Sequence, residues 1–135
     1  MFEHFIEAQA GVYTLALAEL RAGRKRSHWM WFIFPQLRAL GRSTTAQRFG
    51  LAGLEEAQAY AAHDLLGARL RECVGLANAV EGKSALDLFG PPDDLKYRSC
   101  ATLFLRATEE QLFRDALDKF YGGAEDPLTL EALAR

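Results

Sequence analysis

Residues 24–36 read Arg-Lys-Arg-Ser-His-Trp-Met-Trp-Phe-Ile-Phe-Pro-Gln. Three cations, one histidine and four aromatic rings fall within these thirteen positions, and both tryptophans of the chain are among them. Such a set suits a ligand that carries a flat ring and a phosphate. Trp29 or Trp31 would stack on the ring, Arg24 and Lys25 would pair with the anion, and His28 would donate or accept a proton. Ser27 adds a small donor where a helix is expected to begin, and the orphan amides there favour an anion. Gln36 closes the segment as a further ligand-binding candidate. A purely structural reading stands beside this one: Trp, Met, Phe and Ile fill a core, with Phe32 and Ile33 the strongest core candidates, and the basic run is a solvated turn. On a helix, positions two apart do not face each other, so at most one of Trp29 and Trp31 lines a given wall.

A second candidate segment runs from Phe89 to Thr102. On a helix Lys96, Ser99 and Cys100 share a face, as do Asp94 and Arg98. Lys96 beside Ser99 would serve a ligand phosphate or a catalytic proton transfer, with Asp94 close by. The competing reading is that Ser99 and Thr102 make internal contacts. Nothing resembles a nucleophile elbow or an ordered triad. The glycines form no phosphate-loop or dinucleotide fingerprint. The three histidines, His4, His28 and His63, show no ligand spacing with each other or with acids, so no metal is expected, and no cofactor is implied.

These residues sit in a chain of 135 residues with ordinary globular composition, half of it hydrophobic and a quarter charged. That suits one domain over 1–135 with a real core. The net charge of −2 is unevenly spread: residues 1–50 hold seven basic against three acidic side chains, and the remainder holds nine against fifteen. Either the two parts pair in the fold, or the first part holds a local anion site. Extensive nucleic-acid binding is disfavoured, because it needs many cations on one face. Cys73 and Cys100 are far apart and in no metal or disulfide pattern, which reads as two buried thiols in a reducing, cytoplasmic protein. No apolar run approaches membrane-spanning length, and the start has no secretion signal. The oligomeric state is not legible.

The elements that must position the candidates are mainly α, in a single compact domain of about six to eight short helices. Apolar residues from Phe5 to Leu20 recur at spacings of three and four and predict one helix over 2–22, stopped at Gly23. Ser27 would cap a helix through Leu40, kinked or divided at Pro35. The apolar run 29–34 reads alternatively as a small buried strand. Ser43 would cap a short helix to Phe49. A further helix carries Leu54, Ala57, Tyr60 and Ala61, and Asp64 would cap a longer one. Ser84–Asp87 resembles a capped turn, and Gly90–Asp94 a rigid turn before a helix near 94–106. Thr108 to Gln111 has a capping-box pattern, and Gly122-Gly123 stops the helix that follows it. Asp126-Pro127 would start the last helix.

Five stretches together resemble a known family. They are Phe5-x-x-Ala8-Gln9, Gly23-Arg24-Lys25-x-Ser27-His28-Trp29-Met30-Trp31-Phe32-Ile33-Phe34-Pro35-Gln36-Leu37, Leu54-x-Glu56-Ala57-x-Ala59-Tyr60, Leu66-Gly67-x-Arg69-Leu70, and Phe89-Gly90-x-x-Asp93-x-x-Lys96-x-x-Ser99-x-x-Thr102-Leu103-Phe104. The pattern resembles the bacterial family catalogued as domain of unknown function 1810, whose members are sometimes labelled calpastatin. Glu3-His4-x-x-x-Ala8-Gln9 is also distantly similar to a helix of the NADAR superfamily, with Phe89-Gly90 where that superfamily has Trp-Gly. This second resemblance implies a mainly helical protein of NAD and ADP-ribose chemistry that hydrolyses an N-glycosidic bond. Glu3 would then stabilise the sugar cation or activate water, and His28 or Lys96 would protonate the leaving base. The alternatives are a nucleotide or ADP-ribose binding module without chemistry, and a protein-interaction domain that presents its tryptophans on a flat exposed face.

Overall fold

Residues 99–105 read Ser-Cys-Ala-Thr-Leu-Phe-Leu, and in the computed structural model every one of them is buried. A helix that hides all its faces must lie inside the others. The structure describes all 135 residues as ten α-helices and one 3-10 turn, without a sheet. In chain order the helices are α1 (Glu3–Ala10), α2 (Tyr13–Ala22), α3 (Met30–Ile33), α4 (Thr44–Phe49) and α5 (Leu54–Ala62), then α6 (Asp64–Ala79), α7 (Ala85–Phe89), α8 (Asp93–Thr108), α9 (Gln111–Tyr121) and α10 (Pro127–Ala134). The 3-10 turn spans Arg38–Leu40. Helix α8 is the buried one, and α5, α7, α9 and α10 pack around it, while α6 bridges α2, α5 and α9. No helix is long and apolar enough to cross a membrane.

The fold is mainly α, as the periodicity requires, but the first expected helix is divided, and the second is divided at Pro35, one of the two outcomes its proline allows. The first breaks at Gly11 and Val12, where the ladder tightens to a bond from the Val12 N–H to the Gln9 carbonyl. Both halves keep an apolar face toward the core, so the spacing of apolar residues runs through the break without recording it. The second expected helix is only one turn, α3. Phe34 adopts φ −121°, ψ 76°, because a residue before proline is pushed out of the helical region. The chain then runs extended and makes one parallel bridge, Leu37 to Leu51, in place of a strand at 29–34. Two caps also differ. His63 caps α6 instead of Asp64: its Nδ1 accepts from the Leu65 and Leu66 N–H groups. Thr108 forms no capping box. Its hydroxyl donates to the Phe104 carbonyl and accepts from the Glu110 N–H, and Glu110 turns away to Arg71.

Candidate functional site

Glu19, near the end of α2, is buried with its charge. Its Oε1 accepts from the Arg26 N–H at 2.8 Å, the Ser27 N–H at 3.0 Å and the Trp29 indole Nε1 at 3.0 Å. Its Oε2 accepts from the Ser27 hydroxyl at 2.7 Å. Burial alone would raise the pKa of this carboxyl; the four donors outweigh burial and hold it down to about 2. The loop that Gly23 starts, at φ 75°, is thereby folded back over α2. Its other side is fixed by Lys25, whose N–H donates to the Leu88 carbonyl at 2.7 Å and whose Nζ pairs with Asp93 at 2.8 Å. Lys25 Nζ also lies 4.9 Å over the Trp29 ring.

Two cavities meet beside this loop. One holds about 570 Å3 and the other about 340 Å3, and Trp31, Ser43 and Lys96 line both. Together they form a groove between the α3 region and the start of α8, closed at one end by Asp126 and Leu128 of the α10 start. At the smaller end stand Lys25, His28 and Asp93. At the larger end Gln36, Arg42, Arg98, Ser99 and Asp126 are set among apolar side chains. Asp93 is shared, since Lys96 Nζ lies 3.4 Å from its second oxygen. Four cations therefore face two carboxylates. Lys25 is held in its ion pair, and Arg98 donates to the Ala124 and Glu125 carbonyls. Arg42 makes no ion pair or hydrogen bond and is free to meet an anion, while Lys96 is partly exposed and only loosely held, 3.4 Å from Asp93.

At the far end the burial of α8 decides the geometry. Ser99 donates to the Leu95 carbonyl and to Asp126 Oδ2, and Thr102 accepts from the Asp126 N–H. Hydroxyls inside a fully buried helix need partners, and Asp126 supplies them. Asp126 Oδ2 also accepts from the Thr129 N–H and hydroxyl, which caps α10. The internal-contact reading of Ser99 and Thr102 thus describes their bonds, and Ser99 still borders the groove.

The structure brings Lys25, His28, Trp31, Gln36, Lys96 and Ser99 to this groove. The other candidates lie elsewhere. Trp29 has no exposed surface, so a stacking role falls to Trp31, which is 8% exposed. Ser27 caps no helix, because its hydroxyl is spent on Glu19. Arg24 lines a separate shallow cleft with Arg26 and Lys83. Asp94 offers its backbone carbonyl to the Tyr121 hydroxyl and lines neither cavity. Glu3 lines neither as well; it is exposed and paired with the amino terminus at 2.7 Å, which lowers its pKa. No group of three His, Cys, Asp or Glu is placed to hold a metal ion.

A family model described as a protein of unknown function, DUF1810, matches residues 1–133. The chain belongs to the DUF1810 family. The crystal structure of the conserved hypothetical protein Rv1873 from Mycobacterium tuberculosis is similar throughout, with 59% identity over 98% of this chain and 96% of that one and a TM-score of 0.97. No curated protein matches the chain. The long His-Trp-Met-Trp-Phe-Ile-Phe-Pro-Gln string that carried the DUF1810 resemblance divides between two jobs. Trp29, Ile33 and Phe34 build the core, while His28, Trp31 and Gln36 border the groove. The charged groove residues outside the sequence-derived set are Asp93, Arg42, Arg98 and Asp126. Asp126 reads in the sequence as the start of a helix and Asp93 as part of the Gly90–Asp94 turn, so neither charge stands out, and Arg42 stands alone.

Proposed function

We propose that the groove binds a small nucleotide-like anion. The observation that carries this reading is the juxtaposition of the unpaired Arg42 and the loosely paired Lys96 with the wall formed by Trp31 and the apolar side chains of the larger cavity. The larger cavity offers charge to a phosphate beside apolar side chains for a ring, the usual make-up of a small-molecule site. Both tryptophans are buried, at 0% and 8% exposure, which gives no support to a flat partner surface built on them.

The test is thermal stability with and without millimolar ADP-ribose. A ligand that binds only the folded state stabilises it by about 2.7 kcal/mol at one hundred times its dissociation constant. The expected result is a rise that grows with concentration, falls away in Arg42→Ala and Lys96→Ala, and persists in Arg24→Ala. A rise of the same size in all three variants would place binding outside the groove.

A second reading, hydrolysis of the N-glycosidic bond of such a ligand, is favoured by one observation. Asp126 Oδ2 is fully engaged, whereas its Oδ1 receives no hydrogen bond and the residue borders the groove. A sugar oxocarbenium ion needs a carboxylate close by, and Asp126 is better placed for that than Glu3. Asp126→Asn keeps a capping side chain. Under this reading it abolishes release of free base, followed by chromatography, while the thermal shift with ligand survives. If wild-type protein releases no base over a day, binding alone stands.

A further inference from the structure

Two glutamine side chains are buried to the same degree, and their amides are treated in opposite ways. Gln9 is 1% exposed and fully used: Nε2 donates to the Phe32 carbonyl at 2.7 Å and to the Tyr60 hydroxyl at 3.2 Å, and Oε1 accepts from Arg69 at 3.2 Å. Gln36 is 2% exposed, yet its one contact is a long 3.5 Å approach from Nε2 to the Phe34 carbonyl. No N–H or O–H of the protein reaches its Oε1. One acceptor and one N–H are therefore left over on a side chain that lines the larger cavity.

The backbone holds this amide in place. Pro35 before it is buried, and the Leu51 N–H donates to the Gln36 carbonyl at 2.8 Å, with the Arg38 N–H returning to the Leu51 carbonyl at 2.8 Å. The bridge fixes the backbone at Gln36, and with it the point from which the side chain enters the cavity wall. The fully enclosed side-chain polar atoms that lack a partner are Asn78 Oδ1 and the Tyr97 hydroxyl, whereas Gln36 Oε1 opens on the cavity, where a partner arriving from outside can meet it. The same cavity is walled by Trp31 and by Leu40, Pro92 and Leu95.

Resting on the nucleotide reading above, we propose that Gln36 selects the base of the ligand, and that the base is of the adenine type. An amide presents an acceptor beside a donor. Adenine answers with a donor, its exocyclic amine, beside an acceptor, ring N7, whereas guanine presents two acceptors on the corresponding edge. The apolar wall takes the ring, Gln36 reads its edge, and Arg42 and Lys96 take the phosphate.

The experiment is a calorimetric titration of wild-type protein with adenosine 5′-monophosphate, guanosine 5′-monophosphate and ribose 5-phosphate, repeated on Gln36→Leu and on Gln36→Met, which keeps the side-chain length. The expected result is that wild-type protein binds the adenine nucleotide roughly tenfold or more tightly than the guanine one. Both variants, with melting curves that remain cooperative, lose that preference and keep the affinity for ribose 5-phosphate. A preference unchanged in both variants overturns the assignment of Gln36 and leaves the groove reading intact. If neither nucleotide nor ribose 5-phosphate binds wild-type protein, the groove reading falls, and this proposal with it.

Discussion

Replacing Glu19 with alanine is expected to lower the melting temperature by roughly 10 °C or more, although the residue touches no ligand. The carboxylate is the common acceptor for four donors, two of them backbone N–H groups in the 24–29 loop and one the indole of the fully buried Trp29. Removing it strands those donors inside the protein, and an unmade bond to a buried group costs about 1–3 kcal/mol. The indole cannot turn to solvent, so its loss is felt in full. The pH dependence follows from the same bonds. The folded carboxyl titrates at about 2, below its ordinary 4.5. A depressed pKa gives stability that is fully present above the unfolded value and lost as pH falls through the folded one. The window is therefore pH 4.5 down to 2, and the stability lost across it is on the order of 3 kcal/mol. Glu19→Gln, which does not titrate, should show a flatter acid limb than wild-type protein in urea melts taken across that window. Should the two limbs coincide, the charge on Glu19 is not what holds the loop. The loop carries Lys25 and His28 to the groove, so Glu19→Ala should also weaken the ligand-induced thermal shift.

What the sequence made legible was what depends on neighbours in the chain. Gly23 and Gly122 end helices at φ 75° and 62°, Ser43 caps α4, Ser84 and Asp87 form a reciprocal box, and Asp126 with Pro127 starts α10. Each of these is a bond or a dihedral preference within three or four residues. Glu19 was not legible, because its partners lie seven to ten residues on, across a turn whose path no periodicity describes. Asp93 reads in the sequence as part of the turn before α8, and its defining partner, Lys25, is brought to it only by the folded chain. The thirteen-residue aromatic and basic segment stands out in the sequence by its composition. What could not be read was how it divides. Trp29 is held inward by its bond to Glu19, while the extended backbone after Phe34, set by Pro35 and the Leu37–Leu51 bridge, leaves Gln36 at the groove.

Asp93 is the point where stability and binding should trade against each other. Its two oxygens hold Lys25 at 2.8 Å and Lys96 at 3.4 Å, and the Lys25 side chain is only 6% exposed. Breaking a buried pair from one side costs about 3–5 kcal/mol, most of it the price of a charge left without a partner. Asp93→Asn leaves two ammonium groups facing each other and one of them out of water, so its cost should fall in that range. Lys25→Met should cost less. It removes the buried charge itself, keeps an adaptable side chain against the Trp29 ring, and leaves Asp93 paired with Lys96. The order of the two variants in urea melts is thus fixed by which charge is stranded, and Lys25→Met proving the more damaging would mean that Asp93 is not the hub. Binding should move the other way. Without the Asp93 carboxylate, Lys96 is released toward the groove and the local potential becomes more positive. Asp93→Asn should then bind inorganic phosphate or ribose 5-phosphate several-fold more tightly than wild-type protein at low salt, with the gain shrinking as salt screens it. A variant that is less stable and yet binds an anion better is hard to obtain by general loosening of a fold. It follows directly if Asp93 serves in the unliganded protein as an internal stand-in for the ligand's own negative charge.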